Sequence, residues 1–298
     1  MAFFFEVVLG GLLAGVLYSL VALGFVLIFK ASGVFNFAQG AMVLFAALTL
    51  VRLMGWMPFW LAFPITCVVM IGLAFIIERI VLRPLVNQEG IILFMATLGI
   101  AFFLEGFGQT VWGSDIYTLN LGIPKDPTFL LESIFDGGLL VDKLDLFAAA
   151  VAGALVVALA LFFQKTRVGL ALRAVADDHQ AAQSIGVPLN YIWLVVWSAA
   201  GIVALVAGMV WGAKLGVQFS IALVALKALP VLILGGFTSV PGAIIGGLII
   251  GMGEKVSEVY LGPVFGGGIE NWFAYMLALV FLLFRPQGLF GDRIIERV

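Results

Sequence analysis

Lys165 to Asn190 reads KTRVGLALRAVADDHQAAQSIGVPLN, the longest charge-bearing segment on the side of the chain that we read as cytoplasmic. Apolar runs flank it, Leu144 to Phe163 before and Tyr191 to Ala213 after. Each is long enough to cross a hydrocarbon core about 30 Å thick. A connector between adjacent helices needs about 2–8 residues, and this one has 26. The excess reads either as a solvated linker or as a surface with a partner. The segment has the pattern of a short amphipathic helix ended by Gly186 and Pro188. Arg173, Asp177, Gln180 and Ser184 fall on one polar stripe, while Ala171, Val175, Ala182 and Ile185 form the other face. Arg173 and Asp177 are four residues apart and can pair, at a few tenths of a kcal/mol. Together with Asp178 and Gly186, the polar set makes a candidate docking surface: small residues let a partner approach and charges fix its register.

Composition explains why a polar segment is the exception. The chain has 298 residues, 63% hydrophobic and 11% charged, with a mean hydropathy of +1.21. A soluble domain carries about 25% charged residues, and one core of this size cannot hide so much apolar surface. Lipid is the solvent that fits. The net charge of -2 points to neither nucleic acid nor an acidic partner. Cys67 is the only cysteine and His179 the only histidine. An intrachain disulfide is therefore impossible, and neither a cysteine- or histidine-based metal site nor a Ser/His/Asp set is expected. No cofactor is implied. The start, MAFFFEVV, lacks a basic flank and leads into a run too long for a signal-peptide core, so it reads as a retained membrane helix.

Working outward, the expected class is all-α, a single polytopic membrane domain over 1–298. Val7 to Phe29 is a first span, with Gly11 and Gly15 spaced for close helix contact or simply small residues in a bundle. Lys30 to Gly40 is a glycine-flanked break, and Ala41 to Leu53 is a run short for a full crossing. Irregular backbone at membrane depth is tolerated only when buried in protein or lining a wet cavity. Phe59 to Leu82 and Ile91 to Trp112 are further spans, and Ser114 to Lys143 is a polar, acid-rich loop. After Tyr191 to Ala213 comes Ile221 to Leu234, interrupted by Lys227 and Pro230. A second glycine-flanked break spans Gly235 to Ala243, and runs follow at Ile244 to Val259 and Trp272 to Phe284. This gives eight or nine crossings, with the two breaks as possible re-entrant regions. The paired breaks hint at two related halves.

Basic residues near span ends set orientation. With the N-terminus outside, the inner face receives Lys30, Arg79, Arg83, Lys165, Arg167, Arg173, Arg285, Arg293 and Arg297, and the outer face Arg52, Lys125, Lys143, Lys214 and Lys255. Nine against five favours N-out and C-in.

Within the spans Glu105 stands out, because an ionisable group at mid-helix costs about 2.5–3.5 kcal/mol on insertion scales. It lies about 21 Å along its span at 1.5 Å per residue, toward the outer mouth. It reads as a pathway-lining group or a packed helix–helix hydrogen bond, with Lys227 as a conceivable partner. Thr97 lies on the same span. Asn36, Gln39, Thr238 and Ser239 sit in or beside the two breaks, as gate elements or as caps of broken helices. No GxxxxGK[ST] loop is present, so any ATP hydrolysis must come from another polypeptide.

Four stretches carry a family resemblance. GLALRAVADDHQAAQSIGVPLNYI is similar to the cytoplasmic coupling loop of permeases of the branched-chain amino-acid ABC importer family. FNFAQGAMVLFAALT resembles that family's N-terminal signature, and VLILGGFTSVPGAIIGGLIIG and FLLFRPQGLFG resemble its C-terminal signatures. They occur in the same order across nearly the whole chain, and the first signature points to the first of two homologous permeases. The resemblance implies a bacterial inner-membrane importer subunit partnered by a second permease, two ATP-binding subunits and a periplasmic or extracellular solute-binding protein. The family also serves urea, amides and other small acids, and the span from Ile92 to Gly113 does not choose among them. Two rivals stay open: a proton-coupled secondary transporter working through Glu105, and a membrane scaffold that moves no solute.

Overall fold

The computed structural model describes residues 2–85, 88–124, 126–130, 138–177, 182 and 184–291. The described part of the chain is an all-α membrane bundle with one small hairpin. In order it holds α1 (Ala2–Ser32), α2 (Gln39–Met54) and α3 (Phe59–Ile76), which runs into a π-helical turn (Ile77–Leu82). Next come α4 (Gly90–Trp112), β1 (Pro127–Leu130), β2 (Leu139–Asp142), α5 (Lys143–Lys165) and α6 (Arg167–Asp177). Then follow α7 (Leu189–Leu215), a 3-10 turn (Phe219–Leu223), α8 (Val224–Gly235), α9 (Val240–Phe265) and α10 (Glu270–Phe284). Among the described residues, six helical stretches are long and apolar enough to cross a membrane, and three more apolar ones are shorter.

Most helices start and stop close to the expected runs, and the differences include α9, which runs Val240–Phe265 where Ile244 to Val259 was expected. α1 begins at Ala2, well ahead of Val7, because nothing in AFFFEVV opposes helix. The first break narrows to Gly33–Ala38, so Gln39 and Gly40 open α2. The acid-rich loop contains an antiparallel pair, Pro127 opposite Asp142 through Leu130 opposite Leu139, where only irregular loop was expected.

The chain divides into two compact units. The first comprises Met1–Ala22, Gly122–Ala152 and Leu226–Val298; the second comprises Leu23–Leu121 and Gly153–Ala225. In the second unit α2 is the axis, buried along its length from Gln39 to Leu50. It packs on α7, where Gly208 lets the backbones meet: a Cβ there would lie 2.5 Å from the Val43 carbonyl oxygen. On the same unit α4 turns Phe102, Phe103 and Phe107 outward, the orientation that suits hydrocarbon.

In the first unit the start of α1 lies directly against α9. A Cβ on Gly15 would stand 2.3 Å from the Gly247 carbonyl oxygen, and one on Gly251 would stand 2.4 Å from the Gly15 backbone. Ser19 fastens the seam, its hydroxyl 2.9 Å from the Gly15 carbonyl and 3.3 Å from the Ile244 carbonyl. Small residues are what helices need to attract each other in lipid, where apolar burial gives no drive to association. The Gly11/Gly15 pair is thus a true contact, not a neutral choice of small residues.

This seam makes a prediction. Gly247→Ala inserts a methyl 2.6 Å from the Gly15 carbonyl oxygen and 2.0 Å from the Ser19 hydroxyl and should cost about 1–3 kcal/mol, lowering the Tm of the purified protein. Gly10→Ala, with nothing within 4 Å of its Cβ, should leave the Tm unchanged. Equal effects at both positions would refute the seam.

Candidate functional site

The first break is held by the polar residues that the sequence singled out. Asn36 accepts a hydrogen bond from the Ala38 backbone N–H at 3.1 Å through Oδ1 and donates from Nδ2 to Gln39 Oε1 at 3.3 Å. Thr97 reaches the same backbone from α4. Its hydroxyl accepts from the Phe37 N–H at 3.3 Å and lies 3.2 Å from the Phe35 carbonyl oxygen. Gly24 leaves room for the Gln39 amide, since a Cβ there would fall 2.0 Å from its Nε2. Asn36, Gln39 and Thr97 are all fully buried. In this conformation they join two helices and cap a broken end, and they are not open to solute.

The second break is built differently. Ser239 caps α9, its hydroxyl accepting from the Gly242 N–H at 3.0 Å, with Thr238 half-buried beside it. The last carbonyls of α8, orphaned by the break, are met by the chain's own C-terminal stretch. The Leu289 N–H donates to Leu234 at 2.8 Å and the Phe290 N–H to Gly235 at 3.2 Å. That approach requires glycine at Gly236 (φ +103) and Gly288 (φ +80), where a Cβ would also collide with backbone at 2.8 and 2.7 Å. Arg285 and Pro286 begin the turn that brings the chain back onto the break.

The segment from Lys165 to Asn190 leaves α5 through a tight elbow. Thr166 donates to the Phe162 carbonyl at 2.6 Å and accepts from the Gly169 N–H at 3.0 Å, an N-cap for α6. Only glycine fits at Gly169, 2.3 Å in Cβ terms from the Phe163 carbonyl oxygen. α6 buries Leu172 and Val175, and Ala182 is buried further on. Arg173 and Ser184 are exposed, and Gly186 turns the chain at φ +87. Ile185, expected on the apolar inner face, is instead 77% exposed, and Leu170 is 62% exposed. The reason is the turn that follows Ser184, which takes Ile185 off the helical spacing. Asp178, His179 and Gln180 lie outside the described residues, as does the side chain of Asp177.

Glu105 is half-exposed on α4. Lys227 is not its partner: Lys227 Nζ lies 3.8 Å from the carboxylate of Glu254 on α9, and 5.7 Å from the centre of the Tyr18 ring. Glu254 is only 2% exposed and was missed by the sequence reading. The signal was there, a carboxylate inside an apolar run, the same signal that marks Glu105. Pro230 has a further consequence. It has no N–H for the Leu226 carbonyl four residues earlier, and the Tyr275 hydroxyl of α10 takes that place at 2.7 Å. Among the described residues no group of His, Cys, Asp and Glu could hold a metal ion.

Residues 7–285 match the family described as branched-chain amino acid transport system, permease component. The chain is 29% identical to the high-affinity branched-chain amino acid transport system permease protein BraD of Pseudomonas aeruginosa, covering 99% of this chain and 98% of that one. It is 31% identical to the probable branched-chain amino acid transport permease protein LivH of Methanocaldococcus jannaschii, covering 95% and 91%. Among solved structures, a chain of PsaBC from Streptococcus pneumoniae in complex with Fab is similar at a TM-score of 0.46 and 15% identity, over 92% of this chain and 89% of that one.

The proline site predicts a rescue. Tyr275→Phe strands the Leu226 carbonyl and should destabilise the protein by about 1 kcal/mol or more. With Pro230→Ala the helix regains its own donor, and the cost of Tyr275→Phe should nearly vanish. If thermal melts show the same loss in both backgrounds, Tyr275 serves some other group.

Proposed function

The chain belongs to the permease-component family of branched-chain amino-acid transport systems, and from that premise we propose that it carries branched-chain amino acids inward. It is a multi-pass membrane permease subunit of an ABC importer, a transport subunit rather than an enzyme, with ATP hydrolysis in separate subunits. The match over residues 7–285 is the observation that carries this function. The finer reading places it in the bacterial inner membrane with eight or nine crossings, N-terminus outside and C-terminus inside. Its working partners are a second homologous permease, two ATP-binding subunits and a solute-binding protein.

In this reading residues 165–190 are the docking loop for an ATP-binding subunit. Its support is physical. The loop carries exposed Leu170 and Ile185 beside exposed Arg173, apolar anchors with a charge to set register. It is also joined stiffly to α5 through Thr166 and Gly169, so a push on the loop moves a span instead of bending a linker. Alternating access then follows from rigid-body rocking, with the ATPase pair supplying the bias between states. The two breaks act as gate elements: Asn36, Gln39 and Thr97 hold one, and Thr238 and Ser239 the other. Glu105 lines the outer approach.

Replacing Leu170 and Arg173 together by aspartate should abolish co-purification of the ATP-binding subunits and cut ATP-driven leucine uptake at least tenfold, while the permease stays in the membrane. If both survive, the docking assignment fails. The chain reconstituted alone under a proton or solute gradient should show no saturable flux. Such flux would favour the proton-coupled alternative.

A further inference from the structure

Lys227 and Glu254 form an opposite-charge pair inside the first unit, with the carboxylate buried. Glu254 lies about 21 Å along α9 at 1.5 Å per residue, near the middle of a 26-residue helix. Ionisable groups at that depth are expensive and mark solute pathways more often than packing sites. The pair is loose: its 3.8 Å separation is too long for a hydrogen bond. Glu254 Oε1 is buried with no hydrogen-bond partner. Lys227 keeps about a quarter of its side chain exposed, at 29%. It sits in the first turn of α8, a helix of only 12 residues between a 3-10 turn and the second break. A short, interrupted helix whose N-terminal end adds positive potential is a common place for a transported anionic group. Pro230 and Tyr275 then fix that helix next to the charge.

We propose that Lys227 and Glu254 are a transport site for the zwitterionic head of an α-amino acid, the solute carboxylate taking Lys227 and its ammonium taking the vacant oxygen of Glu254. The inference rests on the reading of this chain as an amino-acid permease and adds the group that the path recognises. Its logic is charge conservation in hydrocarbon. Before entry each charge answers the other; with the solute inserted between them each answers the solute, and the total stays zero. A lone anion or cation would leave one protein charge unmatched, and a neutral amide would not repay separating the pair. The pair therefore selects zwitterions over ions and over amides at one point of the path. Tyr18, with its ring 5.7 Å from Lys227 Nζ, holds the lysine in place while the solute passes.

The test uses the whole importer in vesicles with leucine as probe and compares three forms. The unaltered complex should take up leucine on addition of ATP. The neutral pair Lys227→Met with Glu254→Gln should assemble with its ATP-binding subunits, because a buried ion pair can be replaced by neutral groups of similar volume with little loss of stability, yet its uptake should fall at least tenfold. The exchanged pair, Lys227→Glu with Glu254→Lys, keeps an ion pair but puts the carboxylate at the helix start; it should not regain more than a tenth of the original rate. Uptake by the neutral pair within twofold of normal, recovery by the exchanged pair, or failure of the neutral pair to assemble would each make the ion pair a packing device and overturn the proposal. An unaltered complex with no ATP-driven leucine uptake would sink the permease reading itself, which is a separate result.

Discussion

A broken helix in hydrocarbon has no water to complete its hydrogen bonds, and this constraint governs how the chain is built. Every exposed N–H or carbonyl left by a break must find a partner from the protein. The chain answers in several chemically distinct ways. Beside Gly33, Asn36 and Thr97 supply side-chain oxygens and a hydroxyl to the loose backbone. After Gly235, the chain folds its own C-terminal backbone against the carbonyls. At Pro230, a tyrosine hydroxyl replaces the missing N–H. Polar side chains in the apolar helices therefore complete broken backbone, as Asn36 does with its hydrogen bonds made, while Gln39 Nε2 and Glu254 Oε1 are buried without a hydrogen-bond partner.

The same constraint decides where glycine matters. Gly15, Gly247 and Gly251 let α1 and α9 meet backbone to backbone, and Gly236 and Gly288 let the C-terminal stretch reach α8. Contacts of this kind are made mostly by backbone, with the Ser19 side chain joining them at Gly247, so they tolerate sliding poorly. Ser19 adds hydrogen bonds across the seam. The start of α1 and the middle of α9 thus form a stiff pair within the first unit.

Much of this was legible in the sequence, for a reason. Apolar length is a direct consequence of bilayer thickness, so each span appeared as a run, and the segment from Lys165 to Asn190 appeared as a run of charges between two of them. The polar residues at the breaks were also visible, because Asn, Thr and Ser beside glycine have few roles in lipid besides backbone capping. What stayed hidden depends on partners distant in the chain. The C-terminal stretch reads as a helix stop because nothing local in RPQGLFG tells of Leu234 and Gly235. Lys227 could be assigned to Glu105 or left alone, since helix periodicity does not say which helices adjoin. Ile185 looked buried because helical spacing was extended through a turn. The β1–β2 pair escaped notice because the loop between the fourth and fifth spans was read only as polar, while strand pairing depends on register between segments.

The contrast between the glycine seam and the Lys227–Glu254 pair bears on how such a bundle can move at all. Where backbones interlock, a displacement of an ångström creates a clash, so the helices travel as one body. Where two long side chains meet at 3.8 Å without a hydrogen bond, the same displacement costs little, because each charge can follow the other or accept a substitute. Both contacts lie on α9, about one helical turn apart from Gly251 to Glu254. In the proposed transport site a rigid anchor next to an exchangeable contact on the same helix would turn force on the anchor into opening at the pair, where the two charges would stand in for water around a zwitterion.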